Sequence, residues 1–241
     1  MKLDILAFGA HPDDIELSCA GTLAKQSHLG YACGAVDLTQ GEMGTRGTPE
    51  IRLKEAQAAA EILQLKARHN LGFKDGLFRN DWAHQEKIIE MIRLYRPEIV
   101  LANAPTDRHP DHGRGAEVVK QACFLAGLRK IETCFNGEVQ EAYRPQQLLH
   151  YIQFQTLSPD FIMNIGEHIH TKLQSIKAYE SQFYNPKSKE PSTVISSKNF
   201  LDSVTYRAQD LGRLIGAEYG EGFIKSQDLG LNDLMHLSGV R

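Results

Sequence analysis

Two apolar runs, residues 3–9 and 98–102, each lead into a cluster of histidine and aspartate, and this pairing limits the folds open to the chain. The first run feeds Ala10-His11-Pro12-Asp13-Asp14, and the second feeds Asp107-Arg108-His109-Pro110-Asp111-His112. A nearly continuous apolar run reads as a strand buried on both faces, the kind that parallel sheets use. In such sheets ligands bind beyond the carboxyl ends of the strands, where the strand order reverses. With the first and fourth strands flanking that point, two clusters far apart in sequence make one site.

The intervening pattern agrees with such a sheet. Leu17, Ala20, Leu23 and Ala24 share one helical face, which stops at Gly30. A second strand over residues 32–39 ends in a glycine-rich loop, 40–47. Thr48 caps a helix with Pro49 at its first position, running to about Leu65. A short third strand lies near 68–71. Asp81 caps a helix carrying Ile88, Ile89, Ile92 and Tyr95, which ends before Pro97. A helix follows the second cluster from Gly113 to Ala126, and residues 128–147 have no clear period. Strands at 148–154 and 161–165, a helix at 167–179, a long mobile loop at 185–199 and a helix at 202–216 complete the reading. Strands alternating with helices predict an α/β, Rossmann-like three-layer fold with a mostly parallel sheet, in a single domain over 1–241.

The formal charge of −3 gives no electrostatic case for nucleic acid or an anionic membrane. The four cysteines form no C-x-x-C pair. Cys19, Cys33 and Cys123 fall in apolar segments and read as small buried hydrophobes, which fits a reduced, cytoplasmic compartment. Asp4 within the first apolar run and the lack of a small-residue cleavage site argue against a secretory signal. No stretch approaches the roughly 18 apolar residues of a membrane span. The expected partners are a small substrate and further copies of the chain in a homo-oligomer.

The clusters suit a catalytic zinc site, which commonly takes three nitrogen or oxygen ligands and keeps one position open. His11, Asp14 and His112 supply two imidazoles and a carboxylate, with Pro12 stiffening the turn between the first two. Asp13 is then free to act as base on the attacking water. His109, when protonated, can stabilise an oxyanion and hand a proton to a departing amine, with Asp111 holding its tautomer. The bland alternatives are an N-cap for either aspartate and surface roles for single histidines. The seven other histidines are given no role. A nucleotide-binding Rossmann domain would need a glycine fingerprint, and Gly9-Ala10-His11-Pro12-Asp13-Asp14 is not one. A structural zinc module would be closed, and it would leave Asp13 and His109 without a purpose.

Ala10-His11-Pro12-Asp13-Asp14, Gly41-Glu42-Met43-Gly44, Thr48-Pro49-Glu50-Ile51-Arg52, Asp75-Gly76 and His109-Pro110-Asp111-His112 resemble the PIG-L-like (LmbE-like) zinc-dependent N-acetylglucosamine deacetylases. The resemblance runs from about residue 3 to 125 and resumes at Glu218-Tyr219-Gly220-Glu221-Gly222-Phe223. It implies one zinc on His11, Asp14 and His112, Asp13 as base, and His109 backed by Asp111. It also implies substrate contacts from Arg52, Glu42 and Asp75. Asp107-Arg108-His109-Pro110-Asp111-His112 and the tail are most similar to the bacillithiol-biosynthesis branch, whose substrate is N-acetylglucosaminyl malate. Arg52 with Arg108 then suits the malate carboxylates. The family also uses a C-terminal tyrosine near the oxyanion, and neither Tyr184 nor Phe200 is assigned that role. An inositol-linked sugar or a chitooligosaccharide stays open as the substrate.

Overall fold

The computed structural model describes residues 1–237. Its central sheet has seven strands in the order β3-β2-β1-β4-β7-β9-β8. Strand β1 (Ile5–Gly9) pairs in parallel with β2 (Cys33–Thr39) on one side and with β4 (Ile99–Ala102) on the other. Beyond these lie β3 (Ala67–Phe73) and β7 (Gln147–Tyr151), also parallel. The strand order reverses between β1 and β4. The carboxyl ends of those two strands carry the two His/Asp clusters.

The apolar runs are explained by what each face meets. Leu6 and Phe8 pack with Val36, Leu38, Ile88, Ile92, Val118 and Val119. Those partners come from β2, α3 (Trp82–Tyr95) and α4 (Pro110–Ala126). Ile5 and Ala7 point to the opposite face and pack with Ile15, Cys19 and Leu23 of α1 (Asp14–His28) and with Tyr151. Both faces of β1 are therefore dry, which is why its sequence does not alternate. Burying a side chain of the size of Phe8 contributes about 1.5–3 kcal/mol. A further cluster joins Leu17 of α1, Ala56 and Ala59 of α2 (Pro49–Ile62), Ile176 of α5 (Ile169–Lys177) and Val204 of α6 (Lys198–Leu214).

The caps follow the chemistry of their residues. Thr48 Oγ1 accepts from the Ile51 N–H at 3.3 Å, and Asp81 Oδ1 accepts from the His84 N–H at 3.2 Å. Cys19, Cys33 and Cys123 are buried as free thiols, and Cys134 is exposed. Among the described residues no helix is long and apolar enough to cross a membrane.

Several boundaries differ from the sequence-based reading. Helix α4 starts at Pro110 rather than Gly113, because proline suits the first helical position and His109 serves as the cap. The second cluster therefore lies on the first turn of a helix. Residues 128–147 hold a small hairpin of β5 (Cys134–Phe135) and β6 (Glu138–Val139). Helix α6 begins at Lys198, capped by Ser197, and takes in the end of the segment read as a loop. The tail forms a strand, β9 (Gly220–Lys225), antiparallel to β7 and to β8 (Phe161–Asn164). Glu221 of this strand is buried. It accepts from the Gly21 and Thr22 N–H groups at 2.9 and 2.7 Å and from the Lys172 ammonium.

Candidate active site

The loop leaving β1 is pinned from both neighbouring strands. The Ala10 N–H donates to Asn103 Oδ1 at 2.9 Å, just past β4, and the Ala10 carbonyl accepts from Thr39 Oγ1 at 2.9 Å. The loop then turns sharply, so that the His11 N–H donates to Asp14 Oδ2 at 3.0 Å. Asp13 closes the turn with φ of 109°, a left-handed conformation that ordinary residues adopt only under constraint. Its side chain caps nothing. It faces the Arg52 guanidinium, with Nη2 at 3.2 Å from Oδ2. Arg52 also donates to the Gly41 carbonyl at 3.1 Å and to the Pro12 carbonyl. A Cβ on Gly41 would stand 1.8 Å from Arg52 Nη1, and that residue has φ of +66°. Glycine is required there by both space and conformation.

Asp14 stands between two imidazoles. Its Oδ2 lies 3.5 Å from His11 Nδ1, and its Oδ1 lies 3.2 Å from His112 Nε2. Two amides hold the carboxylate in place: Asn103 Nδ2 donates to Oδ2 at 3.0 Å and Gln153 Nε2 to Oδ1 at 2.6 Å. Behind the imidazoles stands a second set of carboxylates. His11 Nε2 is 3.0 Å from Asp75 Oδ1, and His112 Nδ1 is 2.7 Å from Asp107 Oδ2. A carboxylate behind a histidine is the usual way to fix its tautomer and raise its basicity toward a metal.

These charges shape the titrations. Burial opposes protonation of His11 and His112, yet the facing carboxylates outweigh it, so His11 is raised well above its ordinary range and His112 to about 9. Burial alone would raise Asp14, but His112 and His11 hold it well below the ordinary carboxylate range. Asp13 goes the other way. Burial, helped by the charge of Asp14 and only partly opposed by Arg52, lifts it to about 7. The carboxylates facing His11 and His112 thus favour positive charge at this end of the site. Sets with one ligand atom from each residue, all within 4.8 Å of one another, are His11 with His109 and His112, and His11 with Asp75 and Asp111. Either set fits a metal ion, and the set of His11, Asp14 and His112 expected from sequence is not among them.

His109 stands beside that group, its ring centroid 4.7 Å from that of His11. Its Nδ1 accepts from the Asp111 N–H at 3.3 Å, so the ring proton belongs on Nε2. Burial and the charges of His11 and His112 lower its pKa. The neutral ring can therefore donate from Nε2, without the protonation expected from sequence. Asp111 orients His109 through its backbone. Its carboxylate accepts instead from the Gly76 N–H at 2.7 Å and from Arg114, and lies 3.5 Å from His11 Nε2. Glu42 does not line the cavity: its carboxylate accepts from the Asp75 N–H at 2.8 Å and so holds the turn that carries Asp75.

All of this opens into a cavity of about 620 Å³, large enough for a small sugar conjugate. Thr193, Val194 and Ile195 reach its rim, and their segment is tied to the glycine-rich loop by Arg46 to Ser188 at 2.6 Å and by the Gly47 N–H to Glu190 at 2.9 Å. Asn103, Asp107 and Gln153 had no assigned role from sequence. The available signal was their position just past the carboxyl ends of β4 and β7. Tyr184 does not line the cavity, whereas Phe200 does.

A poised carboxylate, a proton-bearing imidazole and a cation-stabilising donor set, converging on an open cavity, make this a hydrolytic enzyme. Comparison with known proteins narrows the class. The sequence model of the PIG-L family, described as GlcNAc-PI de-N-acetylase, matches residues 6–123. The crystal structure of the conserved protein TT1542 from Thermus thermophilus superposes with a TM-score of 0.84 at 34% identity, over 95% of this chain and 98% of that one. The diacetylchitobiose deacetylase of Thermococcus kodakarensis is 29% identical over 74% of this chain and 70% of its own length. The N,N'-diacetylchitobiose deacetylase from Pyrococcus horikoshii shares the fold, with a TM-score of 0.77 at 23% identity over 92% of this chain and 82% of that one. The chain belongs to the PIG-L family.

Proposed function

We propose that the chain hydrolyses the N-acetyl group of an N-acetylglucosamine conjugate, with one zinc ion held by His11, Asp14 and His112. The observation that carries the ligand set is the Asp14 carboxylate lying 3.5 Å from one imidazole and 3.2 Å from the other, oriented by two amides. A divalent ion bound there supplies an acidified water, with a pKa of about 7, and a Lewis acid for the acetyl carbonyl. Asp13 takes the proton of the attacking water. A carboxyl titrating at about 7 both accepts and returns a proton at neutral pH. His109 Nε2–H donates to the oxygen that gains charge as the carbonyl carbon becomes tetrahedral. Cleavage of the C–N bond leaves acetate and the free amine, which receives the proton that Asp13 took. Asp75 and Asp111 keep His11 oriented, and Arg52 holds Asp13 and lines the sugar end of the cavity with Asp75. Glu42 supports that wall from behind.

The finer reading is a conjugate with a small anionic aglycone, malate first, as in the bacillithiol branch that the chain resembles. Arg108 supports it, because it lines the cavity and its side chain has no acidic partner among the described residues. A cytoplasmic homo-oligomer goes with this reading, and sedimentation of the purified chain tests the assembly. Acetate release from N-acetylglucosaminyl malate by zinc-loaded protein tests the activity. Elemental analysis tests the ligands: His11→Ala, Asp14→Ala and His112→Ala should each lose most of the metal, while His109→Ala keeps it. Full metal in Asp14→Ala together with loss in His109→Ala would transfer the third ligand to His109.

A further inference from the structure

Part of the cavity wall is built by α6, which presents Phe200, Val204 and Arg207 at helical spacing. The Phe200 ring is stacked with Phe154 at 6.2 Å and with Phe183 at 6.3 Å. Arg108 lies over the Phe154 ring, with Cζ 4.7 Å from its centroid. Arg207 is half-buried and lines the cavity, yet it makes no hydrogen bond or ion pair among the described residues. Burial lowers its pKa, with only the charge of Asp107 opposing. Asp107 is no partner for it, since its oxygens are taken by His112 Nδ1 and by the Arg108, Phe154 and Gln155 N–H groups. The other cavity arginines are committed: Arg46 to Ser188, and Arg52 to Gly41, Pro12 and Asp13. A half-buried guanidinium with five donors and no acceptor is a binding group waiting for an anion.

We propose that Arg108 and Arg207 form an anion subsite that takes a carboxylate or phosphate on the part of the substrate beyond the acetylated sugar, with Phe154 and Phe200 covering its carbon skeleton. The subsite rests on the deacetylase reading and adds to it a residue on α6 that selects the substrate. Arginine's planar fork makes bidentate contact with a carboxylate or phosphate, which a point charge cannot. The test compares kcat/KM for three N-acetylglucosaminides: the malate conjugate, the 1-phosphate and the neutral methyl glycoside. Arg207→Gln should lower the ratio of anionic to neutral substrate by about tenfold or more, mostly through KM, and Arg207→Lys should restore part of it. Whichever anionic substrate loses more names the anion. Arg108→Gln, at an exposed side chain, should give the same result and serves if Arg207→Gln does not fold. An equal loss on all three substrates, or no preference for an anion in the unaltered protein, would overturn the subsite. If no sugar is deacetylated, the deacetylase reading fails, and calorimetry of free malate and inorganic phosphate with the metal-loaded protein decides the subsite. Binding that Arg207→Gln removes supports it, and binding that Arg207→Gln leaves intact, or none, overturns it.

Discussion

Asp13→Asn should separate stability from activity in opposite directions. Asparagine tolerates the left-handed backbone of this turn, where φ is 109°, and its amide oxygen can still accept from Arg52 Nη2. The fold and the neighbouring ligands should therefore survive. The Asp13 carboxyl titrates at about 7 in the fold, chiefly because of burial. Unfolded, an aspartate titrates near 3.9, so between about pH 4 and 7 the folded state binds the extra proton. Stability from this group is complete below pH 4 and is lost as pH rises through 7. At pH 8 the buried carboxylate then costs up to about 4 kcal/mol, which a neutral amide does not. Urea denaturation of chelated protein at pH 5 and pH 8 measures this. The variant should exceed the unaltered chain at pH 8, with a smaller difference at pH 5. Its turnover should fall by about 10²–10⁴-fold, because an amide cannot accept the proton of water. A variant that is no more stable at pH 8, or that keeps its turnover, would refute the claim that a buried, proton-poised carboxyl is the base.

Gln153→Ala should keep the fold but weaken zinc binding by about 10–100-fold, read by competition with a chelating dye, since Asp14 loses the donor at 2.6 Å. Lys172→Met should destabilise the chain by about 3–5 kcal/mol in urea, because Glu221 is left as a buried charge without its counter-ion. Adding Glu221→Gln to that variant should recover part of the loss.

Much of the site was legible because its residues carry strong local signals. His11, Asp13, Asp14 and His112 follow apolar runs at strand ends, and the parallel order of β1 and β4 brings them together. Thr48 and Asp81 were readable as caps because an oxygen-bearing side chain before an apolar period has one obvious use. Asn103 and Gln153 were not. A lone amide looks the same whether it faces solvent or grips a carboxylate, and only the fold distinguishes them. Arg207 was hidden for a related reason: it falls within the helix read at 202–216, but the first turn of α6, with Phe200, was read as loop, so the cavity-lining stripe of that helix was not visible. Strand β9 escaped because Gly220, Glu221 and Gly222 show no alternation. Its glutamate is buried by virtue of Lys172 and α1, which are remote in sequence.

The grip of Glu221 on Gly21 and Thr22 bears on how the protein can be dissected. The residues matched by the family model end at 123, and every proposed metal ligand lies before that point. A fragment cut after α4 would look catalytically complete on paper. It would lack β7 and β9, the amide of Gln153, and the carboxylate that fastens the middle of α1 across the sheet. Helix α1 begins at Asp14, so slack in that helix is slack in the metal site. The chain beyond α4, which carries no proposed metal ligand, clamps Asp14 through Gln153 and the middle of α1 through Glu221. Shuffling C-terminal halves between relatives should therefore alter metal retention as much as substrate choice.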